Sequence, residues 1–159
     1  MHANSKNLVF PLFIALLMGC EINQNAEKPM AAKLTMLLVE ELYPDFNARN
    51  IEKIMPHFTS EIDWPNGMTG GREIGKEAVR EYWINQWKVI NSQVTPLSYR
   101  VVDEKVVLEV QQSIKDVDGR TISGGIVFHT YSFENEKIVR MDISENVPGF
   151  AASLPATSI

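Results

Sequence analysis

The sequence lacks the residue patterns that hold metals, nucleotides or nucleic acids. Its net charge is −5, and its lysines and arginines are scattered, so no basic surface for phosphates is predicted. The three histidines, His2, His57 and His129, show no metal-ligand spacing. The glycines between positions 67 and 75 lack the spacing of dinucleotide-binding or phosphate-binding loops. We therefore predict no nucleic-acid partner, no metal and no cofactor.

The apolar run at the N-terminus is too short to span a bilayer as a helix. It covers Leu8 to Met18 and follows two positive charges, Lys6 and the N-terminal amine, an arrangement that is typical of a signal peptide. It ends at Leu17-Met18-Gly19-Cys20, which resembles a bacterial lipobox, and Cys20 is the only cysteine. In a lipobox the cysteine thiol receives a diacylglycerol. An ordinary cleaved signal with an incidental cysteine is the alternative, and either interpretation predicts export.

The rest of the chain is long enough for one domain with a sizeable core. We predict a lipoprotein signal peptide at residues 1–20, a flexible tether at 21–29, the folded domain at 30–146 and a loose C-terminal tail at 147–159. Membrane anchoring through Cys20 would place the protein in the bacterial cell envelope, facing the periplasm or the exterior. No cysteine nucleophile is then left.

Helical periodicity dominates the first half of the domain. A leucine face predicts a helix over Ala31 to Tyr43, ended by Pro44, which supplies no amide hydrogen. A short helix follows, with Asn50 as N-cap. A third helix runs from Gly75 to about Ile90. Its apolar face includes the amide Gln86, and a buried amide needs a hydrogen bond, so this helix is predicted to face a partly polar pocket. The apolar faces are Leu34, Leu37, Leu38 and Leu42; Ile51, Ile54, Met55 and Phe58; and Val79, Tyr82, Trp83, Trp87 and Ile90.

From Ser92 onward the hydrophobic period changes from 3.6 to 2, which indicates strands. Three polar turns separate four predicted strands, which gives an antiparallel meander that follows the helices in the sequence. A brief strand at Glu61 to Trp64 precedes the loop Pro65-Asn66-Gly67. The fold class is therefore α+β. The four strands are Val94–Val102, Lys105–Lys115, Thr121–Phe133 and Lys137–Ser144.

Several short motifs accompany this order of elements: Phe46-Asn47-Ala48-Arg49-Asn50, Asp63-Trp64-Pro65-Asn66-Gly67, Gly71-Arg72, Tyr82-Trp83, Gln86-Trp87, Gln112, His129-Thr130-Tyr131 and Ile138-Val139-Arg140-Met141-Asp142-Ile143. With them, the order of the elements resembles the nuclear transport factor 2-like superfamily, and the local sequence resembles its SnoaL-like branch. The resemblance covers roughly Met30 to Glu145. It implies a cone-shaped barrel in which a curved antiparallel sheet packs around three N-terminal helices, leaving one open pocket, commonly in a homodimer packed through the sheets. The superfamily contains isomerases, cyclases and dehydratases beside inert binding domains, so the fold does not decide the function.

Two residues are candidates for proton transfer. His129 lies on a mostly apolar strand face and suits a general base or a hydrogen-bond donor, while a core histidine satisfied by the backbone is an equal alternative. Asp63 precedes Trp64 at the glycine loop and would abstract a proton if buried, although a solvated or loop-capping role is more common at a strand end. Asp142 has the same ambiguity.

A further set of residues is predicted to bind a ligand. Gln86 and Gln112 interrupt apolar faces, and two amides facing one cavity would orient a carbonyl or a hydroxyl. A mutual or backbone hydrogen bond that only satisfies the core is the alternative. The whole predicted binding set is Trp64, Asn66, Trp83, Gln86, Trp87, Gln112 and Tyr131.

The ketosteroid isomerases of the superfamily give a more specific comparison. Aligned without gaps from Asn47 through Phe58, their general-base aspartate falls on Asn66, their oxyanion tyrosine on Leu42 and their oxyanion carboxylic acid on His129. An amide cannot accept the proton, so the isomerase mechanism would need Asp63 instead. A pair of a histidine and an aspartate is more similar to the residue pattern of the dehydratases in this superfamily.

Three functions follow in order of preference. The first is an exported, lipid-anchored domain that binds a small apolar or polycyclic ligand. The second is a cofactor-independent enzyme, an isomerase, dehydratase or cyclase, that moves a proton between His129 and Asp63. The third is a homodimeric structural or partner-binding module with a filled core. A homodimer is also expected because an outer sheet face that carries Val107, Val139 or Met141 would expose an apolar patch, which a two-fold dimer would cover.

Overall fold

The structure is a computed structural model that describes residues 24–147, 150, 157 and 158, with side chains described for 28–147 and 150. The predicted signal peptide and Cys20 lie outside the described residues. Within the described part, no helix is both long and apolar enough to cross a membrane.

The first helical stretch is longer than predicted and does not end at Pro44. Helix α1, Gln24–Met36, continues through a π-helical turn, Leu37–Leu42, into α2, Tyr43–Asn47. In a regular α-helix a prolyl ring clashes with the carbonyl four residues earlier. Here the Tyr43 amide donates to the Leu38 carbonyl, five residues earlier, as in a π-helical turn. We infer that this wider turn leaves space for the Pro44 ring. Part of the predicted tether, from Gln24 to Pro29, is therefore helical.

The predicted short helix is confirmed as α3, Ile51–Ile54, followed by a 3₁₀ turn, Met55–His57. Asn50 occupies the N-cap position, but its side chain does not bond the helix and instead donates to Asp45. The third predicted helix is α4, Lys76–Gln86, which ends four residues earlier than expected.

The predicted meander is confirmed within a larger, mixed sheet. The sheet order is β2-β1-β6-β5-β4-β3-β7, and all neighbours are antiparallel except β1 and β6. The parallel pair and the short β2 were not predicted. The strands are β1, Phe58–Pro65; β2, Arg72–Ile74; β3, Ile90–Val102; β4, Lys105–Asp116; β5, Thr121–Glu134; β6, Lys137–Ser144; and β7, Thr157–Ser158.

The sheet curves around the helices. The register shifts within four strand pairs, and such irregularities bend strands and increase their twist. The concave face carries the core, in which Leu38, Leu42 and Val79 from the helices meet Leu108 and Val110 of β4.

The Asn47 side chain joins the end of α2 to the edge of the sheet. Its amide nitrogen donates to the Val94 carbonyl at 2.8 Å, and its amide oxygen accepts from the Val94 N–H at 3.0 Å. Both main-chain groups of one β3 residue are thus paired by one side chain, as a neighbouring strand would pair them. This contact fixes α2, and therefore Tyr43, against the sheet.

Phe150 covers part of the convex face of the sheet. Phe150 is buried, lies 4.7 Å from the Phe128 ring by centroids and has the Arg100 guanidinium 4.6 Å from its own ring centroid. The segment predicted as a loose tail therefore packs on the sheet at Phe150. Val107, Val139 or Met141 was expected to contribute to an exposed apolar patch on the outer face of the meander. Val107 and Met141 are buried, with Met141 in the core, and Val139 is half-buried.

Candidate functional site

A cavity of about 90 Å³ lies between the helices and the concave face of the sheet. It opens to solvent beside Gly67 and Ile143, which are exposed. None of the described residues that line it is Asp, Glu, Lys or Arg, so the lining carries no permanent charge. Those residues are Leu42, Tyr43, Phe46, Trp64, Pro65, Gly67, Tyr82, Trp83, Gln86, Ile90, Ser92, Val94, Gln112, Ile114, His129, Tyr131, Met141 and Ile143.

Six predicted site residues line this cavity: Trp64, Trp83, Gln86, Gln112, His129 and Tyr131. Strand alternation explains the positions on the sheet. On β4 the residues 108, 110, 112 and 114 point to the concave face, and Leu108 pairs with His129 across the strands. The amides Gln86 and Gln112 and the imidazole of His129 are thus brought to one cavity from three different elements.

An aromatic cluster forms one wall of the cavity. The Trp64 and Trp83 rings meet edge to face with centroids 5.1 Å apart, an arrangement that aromatic pairs favour. Trp87 lies behind this wall, 5.9 Å from Trp83 and 5.6 Å from Phe46, and it is not among the lining residues. Its buried Nε1 atom has no hydrogen-bond partner within the described residues.

Three aromatic side chains form a buried hydrogen-bond network beside the cavity. The Tyr43 hydroxyl lies 2.7 Å from His129 Nδ1, and the Tyr131 hydroxyl donates to the Tyr43 oxygen at 3.2 Å. Burial lowers the pKa of His129 to about 4 and raises the pKa values of Tyr43 and Tyr131. All three side chains are therefore neutral at pH 7. His129 Nε2 is buried and has no partner in the described part of the chain.

Tyr82 and Gln86 link α4 to the glycine loop at the cavity mouth. The Tyr82 hydroxyl accepts from the Gly67 N–H at 3.0 Å and from Gln86 Nε2 at 2.7 Å. Asn66, predicted to bind ligand, lies outside the cavity lining. Its side-chain oxygen accepts from the Met68 and Thr69 amides, which closes the turn of the loop.

Asp63 lies in an ion-pair network with Asp142 rather than in the cavity lining. On β1 the buried residues are Phe58, Ile62 and Trp64, so Asp63 alternates to the other face. Arg72 and Arg140 each pair with both Asp63 and Asp142, and Arg72 also donates to the Met141 carbonyl at 2.6 Å. Hydrogen bonding from Arg140, with help from Arg72, lowers the pKa of Asp142. This cluster joins β1, β2 and β6.

Sequence reasoning missed two tyrosines of the site. Tyr43 was considered only as the residue before Pro44, although it lies three positions before Phe46, a spacing that places two residues on the same side of a helix. Its hydroxyl meets His129, next to the position where the isomerase comparison placed a tyrosine. Tyr82 was placed on the apolar face of α4, and only the structure shows that its hydroxyl holds the glycine loop.

The described residues contain no cluster of three or more His, Cys, Asp or Glu side chains arranged to hold a metal ion. The chemistry that the cavity offers is hydrogen bonding by neutral groups within an apolar, aromatic enclosure.

Comparison with solved structures identifies the same α+β cone. A protein of unknown function described as NTF2-like, from Burkholderia pseudomallei, is 22% identical with a TM-score of 0.61, covering 70% of this chain and 89% of its own. TerC, co-crystallised with polyporic acid, is 20% identical with a TM-score of 0.60, covering 72% and 90%. A computationally designed 17-OHP binder is 16% identical with a TM-score of 0.60, covering 72% and 94%. At these identities the likeness shows the fold alone.

The family is shown by the sequence itself. The model of the SnoaL-like domain matches residues 39–141, which is more than half of the chain. The chain belongs to the SnoaL-like domain family, within the NTF2-like fold. No curated protein sequence matches it.

Proposed function

We propose that this chain is an exported, lipid-anchored domain that binds a small neutral ligand in the cavity between α4 and the sheet. The observation that carries this proposal is a cavity that brings Gln86, Gln112 and His129 together from three elements, with no charged residue in its described lining. Polar side chains that stayed buried without a partner would each cost about 1 to 3 kcal/mol, and a ligand or water that pairs with them removes this cost. An uncharged lining favours neutral ligands, because an ion would lose its hydration without gaining a counter-charge.

The cavity volume favours a small ligand over a polycyclic one. The volume of about 90 Å³ is below the roughly 150 Å³ of a cavity known to hold benzene. A larger ligand would insert one end and leave the remainder at the mouth. Ligands of the structural relatives, polyporic acid and 17-OHP, support small-molecule binding as the task of this site by analogy.

The catalytic alternative has weaker support than binding. The Asp63 carboxylate is paired with Arg72 and Arg140 and does not line the cavity, which leaves His129 as the titratable base there. A histidine whose pKa is about 4 is a weak base at neutral pH. The third alternative, a structural module with a filled core, conflicts with the open cavity.

Filling the cavity should abolish ligand binding without unfolding the protein. Ser92 is buried on β3 and lines the cavity, so the ring of Ser92→Phe would occupy ligand space. Thr95→Phe is the matched control, because Thr95 is exposed on the same strand and does not line the cavity. We expect untargeted mass spectrometry of extracts from the purified proteins to find a small molecule with wild type and Thr95→Phe, and at least tenfold less with Ser92→Phe. Equal amounts with all three proteins would place the ligand elsewhere.

The lipid anchor is proposed from the lipobox alone. Cys20→Ala should leave the protein without an acyl group and abolish its partitioning into detergent or membranes. Mass spectrometry of the mature N-terminus reads this out. An unmodified N-terminus in the wild type would exclude the anchor and, with it, attachment to the cell envelope through Cys20.

The homodimer that the family resemblance implies stays a prediction. The apolar patch that was expected to support the homodimer is reduced, because Val107 and Met141 are buried within a single chain, Val139 is half-buried and Phe150 packs on the convex face. Light scattering at micromolar concentration should show a mass of two chains if the homodimer forms. The mass of one chain would contradict the prediction.

A further inference from the structure

The connection between the proposed lipid anchor and the folded domain is short. Helix α1 begins at Gln24, so only residues 21–23 separate it from Cys20. A fully extended chain covers at most about 3.6 Å per residue, so these four backbone steps span no more than about 14 Å. If Cys20 carries a lipid, the N-terminal end of α1 therefore lies close to the membrane surface.

Helix α1 packs against the end of the sheet that carries the β3–β4 and β5–β6 turns. The Lys33 ammonium pairs with Glu136 in the β5–β6 turn. Leu34 lines a groove together with Glu104 of the β3–β4 turn and Phe133, near the end of β5. The two turns and the start of α1 thus lie at one end of the domain.

The cavity lies towards the other end of the domain. Leu42 lines the cavity, and the helical stretch from Gln24 to Leu42 spans roughly 25 Å at a rise of about 1.5 Å per residue. The strands show the same separation. Strand β4 begins at Lys105, beside the β3–β4 turn, and Ile114 of the cavity lining lies about 30 Å further along it. The start of α1 and the cavity are therefore far apart in the domain.

Exposed apolar side chains lie at the end of the domain where α1 begins. Met30, Val101 and Val102 are 41%, 45% and 44% exposed. Val102 is the last residue of β3, and Met30 lines the same groove as Glu104 in the turn that follows. Apolar side chains gain free energy when they leave water, and the boundary between lipid headgroups and acyl chains accepts them.

The geometry points to the end of the domain with Met30, Val101 and Val102 as a surface that rests on the lipid bilayer, and to a cavity mouth that faces away from it. This inference rests on the proposed lipid anchor and adds the source of the ligand. A mouth turned away from the bilayer receives its ligand from the aqueous phase. The ligand is then a water-soluble neutral molecule rather than a membrane lipid, and a cavity of about 90 Å³ suits such a molecule.

Energy transfer to dyes at the membrane surface measures this orientation. Cys20 is the only cysteine, and acylation consumes its thiol, so an introduced cysteine is the single site for a donor dye in the full lipidated protein. Lys137→Cys and Lys115→Cys are matched variants, because both lysines are exposed. Lys137 pairs with Glu134 and Lys115 with Thr121, at the two ends of β5 and up to about 40 Å apart.

Each labelled protein is inserted into preformed phosphatidylcholine vesicles that carry an acceptor dye on the lipid headgroups. We expect energy transfer to be at least twofold more efficient from the Lys137→Cys label than from the Lys115→Cys label. Equal transfer, or more efficient transfer from Lys115→Cys, would overturn this inference and leave the anchor standing. Wild-type protein that does not float with the vesicles would overturn the proposed anchor, and this inference with it, but would not affect the proposed ligand cavity.

Contact of the apolar side chains with the bilayer is tested by one further substitution. Val102→Glu places a charge on the proposed contact surface, which disfavours contact with lipid, so transfer from the Lys137→Cys label should fall. Ile122→Glu is the matched control, because Ile122 is 58% exposed near the start of β5, at the other end of the sheet. It should leave the transfer unchanged. The same transfer with Val102→Glu as without it would overturn the assignment of this contact surface.

Discussion

Lowering the pH from 7 to 4 should reduce the free energy of unfolding of the wild-type protein by about 3 kcal/mol through His129 alone. Burial lowers the pKa of His129 to about 4, against about 6.5 in an unfolded chain. Between these two values the unfolded state binds a proton that the folded state does not, so stability rises with pH in this window. The contribution of His129 is complete above pH 6.5 and is lost as the pH falls towards 4.

The measurement is urea unfolding of wild type and His129→Phe at several pH values between 4 and 7.5. At pH 7 the variant should be less stable by about 1 to 3 kcal/mol, because the buried Tyr43 hydroxyl loses its hydrogen-bond partner His129. The difference in the free energy of unfolding between the two proteins should narrow as the pH falls, because only the wild type is destabilised by protonation of His129 in the unfolded state. Parallel stability curves for the two proteins would show that His129 titrates normally and is not buried as described.

Arg72→Ala should reduce the free energy of unfolding by about 2 kcal/mol, the other large effect that we expect. Arg72 bonds two carboxylates and two main-chain carbonyls, and its removal leaves Asp63 and Asp142 facing each other with Arg140 alone between them. Breaking a fully buried ion pair costs about 3 to 5 kcal/mol. Because the side chains in this cluster are 21% to 43% exposed, solvent screening reduces the effect.

Arg120→Ala is the matched control. Arg120 also pairs with two aspartates, Asp116 and Asp118, but its side chain is 77% exposed in a turn between strands. Exposed pairs of this kind contribute between 0 and about 1 kcal/mol. Chemical denaturation at pH 7 compares the two variants with wild type. Equal losses in both would mean that the Asp63 cluster does not hold β1, β2 and β6 together.

Most of the fold follows from local periodicity. Alternation along β3 to β6 and the polar turns between these strands predict the meander, because neighbouring strands are also neighbours in sequence. The pairing of β1 with β6 joins Phe58 to Ile138, about eighty residues apart, and local patterns carry no information on such a contact. The helix through Pro44 was mispredicted because the rule for proline assumes a regular α-helix, and the π-helical turn before it changes the geometry.

The site was also partly predictable from local periodicity. Polar residues on apolar faces, Gln86, Gln112 and His129, indicated a cavity without any distance information. Asp63 was grouped with them because of its neighbour Trp64, although adjacent strand residues point to opposite faces. Tyr43 and its hydrogen bond to His129 depend on how α2 packs against the sheet, which the Asn47 contact with Val94 fixes and the sequence alone does not show.

A crystal structure of the protein with the small molecule that co-purifies with it tests the central claim most directly. We predict ligand density in the cavity bounded by Trp83, Met141 and Gln112. Ligand bound only outside the cavity, or a cavity closed by its own side chains, would contradict the claim that this domain binds a small neutral molecule there.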